Sequence, residues 1–326
     1  MMQTLKITFA ATLTLLAGCA GGTGALRGPL PALPSVANRA AVSPAEALTQ
    51  LMNLDYSNGS ITVFSIQNGR AHVSKTFAPG NGRAQGLAVD GSGRIYTTLT
   101  ESNAKPCSAC VEVFTDTGSL VERLDAPILK GASGAPSLTD VALDRHRNVY
   151  VSDFGQQAVY FFPHARKARA PVIVVQNSQN AASVLATPTG NDVVISGGCG
   201  FASVRPYTRT APGQYAPGSC FGIGTIALIG GAEDEKVDVM TPVDGVPDLV
   251  SVSSPSGGNT FQTPDRLASI SSVAFNRDAS VAYVANHSKE CVYAFARPAN
   301  GWLSGQPKLL ATYKGFKNLD IIAVPH

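Results

Sequence analysis

One phrase recurs along this chain and limits what it can fold into more than any other feature. It reads Gly86-Leu87-Ala88-Val89-Asp90-Gly91-Ser92-Gly93-Arg94-Ile95-Tyr96, then Asp140-Val141-Ala142-Leu143-Asp144-Arg145-His146-Arg147-Asn148-Val149-Tyr150-Val151-Ser152-Asp153, then Ser272-Val273-Ala274-Phe275-Asn276-Arg277-Asp278-Ala279-Ser280-Val281-Ala282-Tyr283-Val284-Ala285-Asn286. Each copy places a short apolar strand, a polar turn opened by Asp or Asn, and a second strand carrying Tyr, so one hairpin is built several times. Repetition of a β unit decides architecture and leaves activity open.

With the turn residue as a ruler, Asp90 and Asp144 lie 54 positions apart, and a degenerate copy at Leu185–Ile195, with Thr187 as its turn residue, follows 43 later. The interval from Thr187 to Asn276 is 89 positions, room for two units, and the hidden one is expected at Val239–Val252. Units of this length match four-stranded propeller blades, which run to ~40–50 residues. Asn318–Val324 has the first-strand pattern at the end of the chain, while Leu51–Phe64 has the pattern of later strands, with Asp55–Phe64 echoing Asp153–Phe161. One blade is therefore expected to be shared between the termini, which removes the open sheet edges. The fold class expected is all-β: a six-bladed β-propeller of four-stranded blades, occupying residues 42–326.

The start of the chain reads differently. Lys6 precedes an apolar stretch, Ile7–Leu16, too short to span a bilayer, which needs ~20 apolar residues. Leu16-Ala17-Gly18-Cys19 then resembles the lipobox of bacterial lipoproteins. That resemblance implies a signal peptide over 1–18, diacylation of Cys19 (palmitate-type chains), and a cell-envelope location, outer membrane/periplasm or cell surface, with Ala20 favouring an outer membrane where the cell has one. Residues 19–41 are rich in Gly, Ala and Pro and read as a tether, and Ser43–Leu48 carries start signals for a short helix.

With 44% hydrophobic and 14% charged residues the chain can bury a large core, and its net charge of +3 is small. The one basic cluster, His164, Arg166, Lys167 and Arg169, lacks interleaved aromatics, so no nucleic-acid partner is expected. Gly222-Ile223-Gly224-Thr225-Ile226-Ala227 fits a dinucleotide-binding turn in letters only, because a strand-like run rather than a helix follows it. Nucleophile-elbow, zinc-protease and P-loop motifs are absent.

The repeated phrase also resembles NHL-type and related six-bladed propellers, including the gluconolactonase-like group and surface-layer propeller repeats, over about residues 50–326. The resemblance implies a channel lined by the first strand of each blade. Ligands would meet the loops that enter that strand and those joining the second and third strands. Projected onto this chain, the ligand-binding candidates are Asp55, Thr139, Asp140, Asp153, Asn286, His287 and Asp320, whose oxygens would suit a hard cation such as calcium. Asp153 and Asn286 read more readily as turn caps. The Glu, Asn and Asp that would hold a lactonase metal have matching types in Glu101, Asn286 and Asp244 without any sign of convergence. Of the cysteines, Cys107 with Cys110 and Cys199 with Cys220 are the expected disulfides, leaving Cys291 unpaired and buried at the start of a strand.

These readings favour a monomeric, lipid-anchored binding module with no required cofactor, for an unidentified protein, peptide or glycan. The alternative is a metal-dependent hydrolase or lactonase at the mouth of the channel.

Overall fold

The computed structural model describes residues 48–80, 83–100, 109–132, 134–164, 171–176, 181–196, 203–222, 232–234, 236–243, 248–265 and 269–325. The chain divides into two compact units, 1–42 and 43–326, and every described residue belongs to the second. The signal, Cys19, the tether and nearly all of the expected short helix lie outside the described residues.

Strands follow one another in runs of antiparallel neighbours. β1 (Gln50–Asp55), β2 (Ser60–Gln67) and β3 (Arg70–Phe77) come first, and the next sheet holds β4 (Arg83–Val89), β5 (Ile95–Thr100), β6 (Cys110–Phe114) and β7 (Leu120–Asp125). A third holds β8 (Leu138–Leu143), β9 (Val149–Asp153), β10 (Ala158–Phe162) and β11 (Val172–Gln176). In the fourth, β12 (Val184–Ala186), β13 (Asp192–Ser196), β14 (Ser203–Ala211) and β15 (Gln214–Pro217) are joined by β16 (Phe221–Gly222), which pairs with β14. The fifth holds β17 (Ala232–Glu233), β18 (Val239–Pro242), β19 (Leu249–Ser254) and β20 (Gly257–Gln262). Then come β21 (Ile270–Phe275), β22 (Val281–Asn286), β23 (Cys291–Ala296) and β24 (Lys308–Lys314). Finally β25 (Ile321–Ala323) returns to β1, pairing Met52 with Ala323 and Leu54 with Ile321. The two ends of the domain thus complete one sheet, β25-β1-β2-β3, as the sequence pattern predicts. A single parallel pair, Lys314 with Arg70, links it to β24.

Burial explains why these segments are strands. β5, β6, β9, β10 and β22 are buried at every position, so both of their faces must meet other sheets, whereas the fourth strands β3, β7 and β20 are largely exposed. Each interval between successive sheets is filled from both sides. Tyr96 and Val111 meet Val151 and Tyr160, Tyr150 and Phe161 meet Val193 and Ile195, and Val194 and Val204 meet Val239. Val252 and Phe261 meet Val284 and Phe295, Leu51 and Phe64 meet Tyr283 and Val292, and Leu54 and Val63 meet Leu87 and Ile95. Each such side chain contributes ~1.5–3 kcal/mol on burial.

The fourth internal repeat departs from expectation. Its hairpin turns at Asp234–Asp238, between β17 and β18, and the segment Val239–Val252 supplies the second and third strands instead of the first and second. Asp234 is the turn residue: its Oδ1 accepts from the Lys236 and Asp238 amides at 2.8 and 3.1 Å. The strand before it, Ala-Glu, is too short and too polar to show a periodic signal.

Candidate functional site

The first-to-second-strand turns share one construction. Asp90 Oδ1 accepts from the Ser92 and Arg94 amides at 2.8 and 3.0 Å, and Asp144 Oδ1 from the His146 and Asn148 amides at 2.8 and 3.0 Å. Thr187 and Asn276 do similar work through a hydroxyl and an amide oxygen, each accepting from the amide five residues on. The residue three places after each turn residue lies in the left-handed region: Gly93, Arg147, Gly190, Val237 and Ala279. Its amide donates back to the turn residue's carbonyl, at 2.8 to 3.0 Å in all five turns. These closed rings leave the residues just after Asp144 and Asn276, Arg145 and Arg277, projecting as exposed side chains.

An apolar cavity of about 120 Å³ runs from the middle of the first strands to these turns. Leu87, Val141, Leu185, Val273, Phe275, Ile322 and Val324 line it, with Ala88, Ala142, Ala274 and Ala323 between them. Phe275 is backed by the chain's single tryptophan, Trp302, stacked at 5.4 Å, whose indole N–H donates to the Ala279 carbonyl. At the lip, Arg145 and Arg277 border both this cavity and a more polar hollow of about 290 Å³ that also touches Asp90, Gly91, Ser92 and Arg147. Among the described residues no carboxylate pairs with Arg145, Arg147 or Arg277.

The seven candidates from the sequence do not line either space. They cap turns and latch sheets. Asp55 accepts from the Ser57 amide and hydroxyl and from the Asn58 side chain; burial works against its charge, but these bonds outweigh that and hold its carboxyl below the usual range. Asp153 accepts from the Ser137 and Gln156 amides, both at 2.9 Å, and from Tyr160. Asn286 Oδ1 accepts from Ser288 and the Lys289 amide, while its Nδ2 donates to Tyr293. The turn-capping reading of Asp153 and Asn286 is what the geometry shows.

Asp320 accepts from the Tyr56 amide at 2.8 Å, and His287 Nδ1 lies 3.2 Å from its Oδ1 and 2.9 Å from the Leu319 carbonyl. The structure thus brings Asp55, His287 and Asp320 to one corner, where β25 meets β1. Fully buried Asn53 clasps the same corner, donating to the Asn318 carbonyl at 2.7 Å and accepting from the Asp320 amide at 2.9 Å.

Thr139 meets Ser152 at 3.1 Å, and Asp140 reaches across to the next sheet, accepting from the Val184 amide at 3.2 Å and from the Val141 amide at 2.9 Å. Ser272, on the first strand of the sheet preceding the terminal one, makes the corresponding link, accepting from the Ile322 amide at 3.2 Å. Burial pushes the Asp140 carboxyl up to about 7 despite its two amide donors. At the equivalent place in the preceding repeat stands Gly86, where a Cβ would lie 2.7 Å from the Asp140 Cα, so only glycine permits that approach.

Among the described residues no three His, Cys, Asp or Glu side chains are placed to hold a metal ion. Glu101, Asp244, Cys107, Cys199, residues 165–170 and residues 223–230 lie outside the described residues. Cys110 and Cys220 are each disulfide-bonded, and Cys291 is free and buried at the start of β23, as expected. The basic lip was missed from sequence, although Arg145 and Arg277 stand in the repeated phrase immediately after the turn residue, where their placement could have been read.

No protein-family model matches the sequence, and no curated relative matches it. Solved structures do resemble it. A functionally unknown protein from Desulfotomaculum acetoxidans DSM 771 shares 12% identity over 85% of this chain and 85% of its own, with a TM-score of 0.52. A streptogramin B lyase shares 10% over 82% and 80%, TM-score 0.51, and a Kuenenia stuttgartiensis hydrazine synthase 13% over 78% and 74%, TM-score 0.52. At these identities the likeness concerns the fold alone, and with the sheets described above it makes this chain an all-β protein of the β-propeller type.

Proposed function

We propose that the chain is an exported, lipid-anchored propeller of six blades that works as a binding module, with its ligand seated in the channel cavity at the turn end. The observation that carries this reading is the cavity: an apolar wall built by the first strands of several sheets, with a few polar groups gathered at one lip. Concave, mostly apolar sites with convergent polar groups at the edge are the usual form of a small-ligand site. Acyl chains on Cys19, more than one for stable attachment, would hold the domain at a membrane surface of the cell envelope through the tether. Pairing of Cys107 with Cys110 and of Cys199 with Cys220 would suit that oxidising setting.

Trp302 provides the assay, because it stacks on a wall residue of the cavity. The purified chain is titrated with peptides, glycans, small organic acids and lactones while its intrinsic fluorescence is followed. A saturable change supports the binding module; no change with any of them removes it. Turnover of a lactone with stoichiometric calcium would replace it with the metal-dependent hydrolase. Acyl mass on the mature N-terminus tests the anchor separately.

A further inference from the structure

We propose that the occupant of this cavity is a small amphiphilic anion: an apolar group about the size of one aromatic ring or a short branched chain, carrying a carboxylate or phosphate head. The proposal rests on the channel-binding reading above and names the ligand class for that site.

Size sets the apolar part. The cavity measures about 120 Å³, close to the roughly 150 Å³ of an engineered apolar cavity that takes up benzene. Small side chains leave room for it: the lining residue two places before the turn residue is Ala88, Ala142 or Ala274, with Leu185 as the larger member, and Ala323 lines it from β25. Apart from Asp144, Arg145, Asn276 and Arg277 at the turn end, the side chains lining the wall are hydrocarbon, so a polar group seated deep among them would exchange water for few partners.

Charge sets the head. Arg145 and Arg277 come from two different sheets and border both the cavity and the hollow above it, where Arg147 joins them. The acids that border the same hollow, Asp90 and Asp144, turn their oxygens onto neutral amide and hydroxyl donors and not onto a guanidinium. Asp144 is held by the His146 and Asn148 amides, the Asn148 side chain and the Tyr150 hydroxyl, and Asp90 by Ser92, the Arg94 amide and the Tyr96 hydroxyl. Asp278, next to Arg277 in sequence, accepts from the Ser280 amide. The lip therefore carries guanidinium forks whose planar donors match carboxylate or phosphate oxygens, above a low-dielectric wall that strengthens their field.

The test titrates the full purified chain with 4-phenylbutyrate, 4-phenylbutyl phosphate, 4-phenylbutylamine, acetate and inorganic phosphate, read by Trp302 fluorescence and by calorimetry. The expected result is binding of the two aryl anions about tenfold or more tighter than the amine. R145Q/R277Q, two exposed positions, should erase that preference, and Ala274→Leu or Ala142→Leu should weaken all aryl probes. Equal affinity for amine and carboxylate overturns the anionic head while channel binding stands. Acetate or phosphate binding as tightly as the aryl anions overturns the amphiphile. Absence of saturable binding by any aryl probe, or binding unaltered in both Leu variants, overturns the channel reading as well.

Discussion

Asp140 turns the packing of two sheets into a pH-dependent quantity. Its carboxyl is buried, accepts from the Val184 amide of the neighbouring sheet, and holds its proton up to about 7, against 3.8 for the ordinary side chain, because burial penalises the charge. Between pH 3.8 and about 7 the folded chain therefore keeps a proton that the unfolded chain has released. The stability tied to this proton is fully present below pH 3.8, declines through the window and is gone above about 7. The gap corresponds to about 4 kcal/mol. Asp140→Asn cannot ionise, so the variant should lack this slope. It keeps an acceptor for Val184 but loses one for the Val141 amide, a pH-independent loss of about 1 kcal/mol. Denaturant unfolding of both proteins from pH 4 to 8 gives the difference directly, and Asp238, pushed up to about 6 by burial and by Asp234, contributes equally to both. The expected outcome is a wild type slightly more stable at pH 4 and a variant more stable by about 3 kcal/mol at pH 8. Parallel curves across that range would refute the latch as described.

Three further outcomes are expected. Val237 is β-branched and sits at φ 62°, yet it packs against the cluster of Leu185, Val194, Val204 and Val239, so Val237→Gly should trade about 1–2 kcal/mol of relieved strain against a lost apolar contact of similar size and leave Tm within roughly 2 °C of the parent. Arg297 lies 2.5 Å from the carboxylate of fully buried Asp234, and Arg297→Ala should cost about 3 kcal/mol in chemical denaturation by leaving that charge unpaired. Asn53→Ala removes both hydrogen bonds of the clasp between β1 and the segment before β25, and should cost about 2–3 kcal/mol while raising hydrogen exchange in β1 first.

Much of the architecture was legible because its signals are local. Asp90, Asp144 and Asn276 each open a turn between an apolar run and a strand with Tyr, and those turns form as read. The terminal sheet was legible too, since Ile321–Val324 has a first-strand pattern lacking its partners. The hairpin at Asp234 was hidden because its first strand is Ala-Glu, while the Pro, Gly and Asp residues after Thr241 imitate a turn. Function was harder to read for a different reason. Whether Asp140 bonds a ligand or the Val184 amide depends on the distance to the next sheet, which no pattern within one repeat encodes. Arg145 and Arg277 each look like an ordinary turn residue, and only the packing of their two sheets about one cavity brings them to one lip.

The strand pairing of Met52 with Ala323 and the clasp of Asn53 on Asp320, 267 residues apart in sequence, set an order on folding. Until the last strand has been synthesised, β1 presents an open edge, and the side chains of Leu51 and Leu54 lack some of their final neighbours. Contacts this distant form slowly, so the nascent chain passes through a period in which its first sheet is the segment most open to mispairing with another copy, and chaperone protection should matter most there.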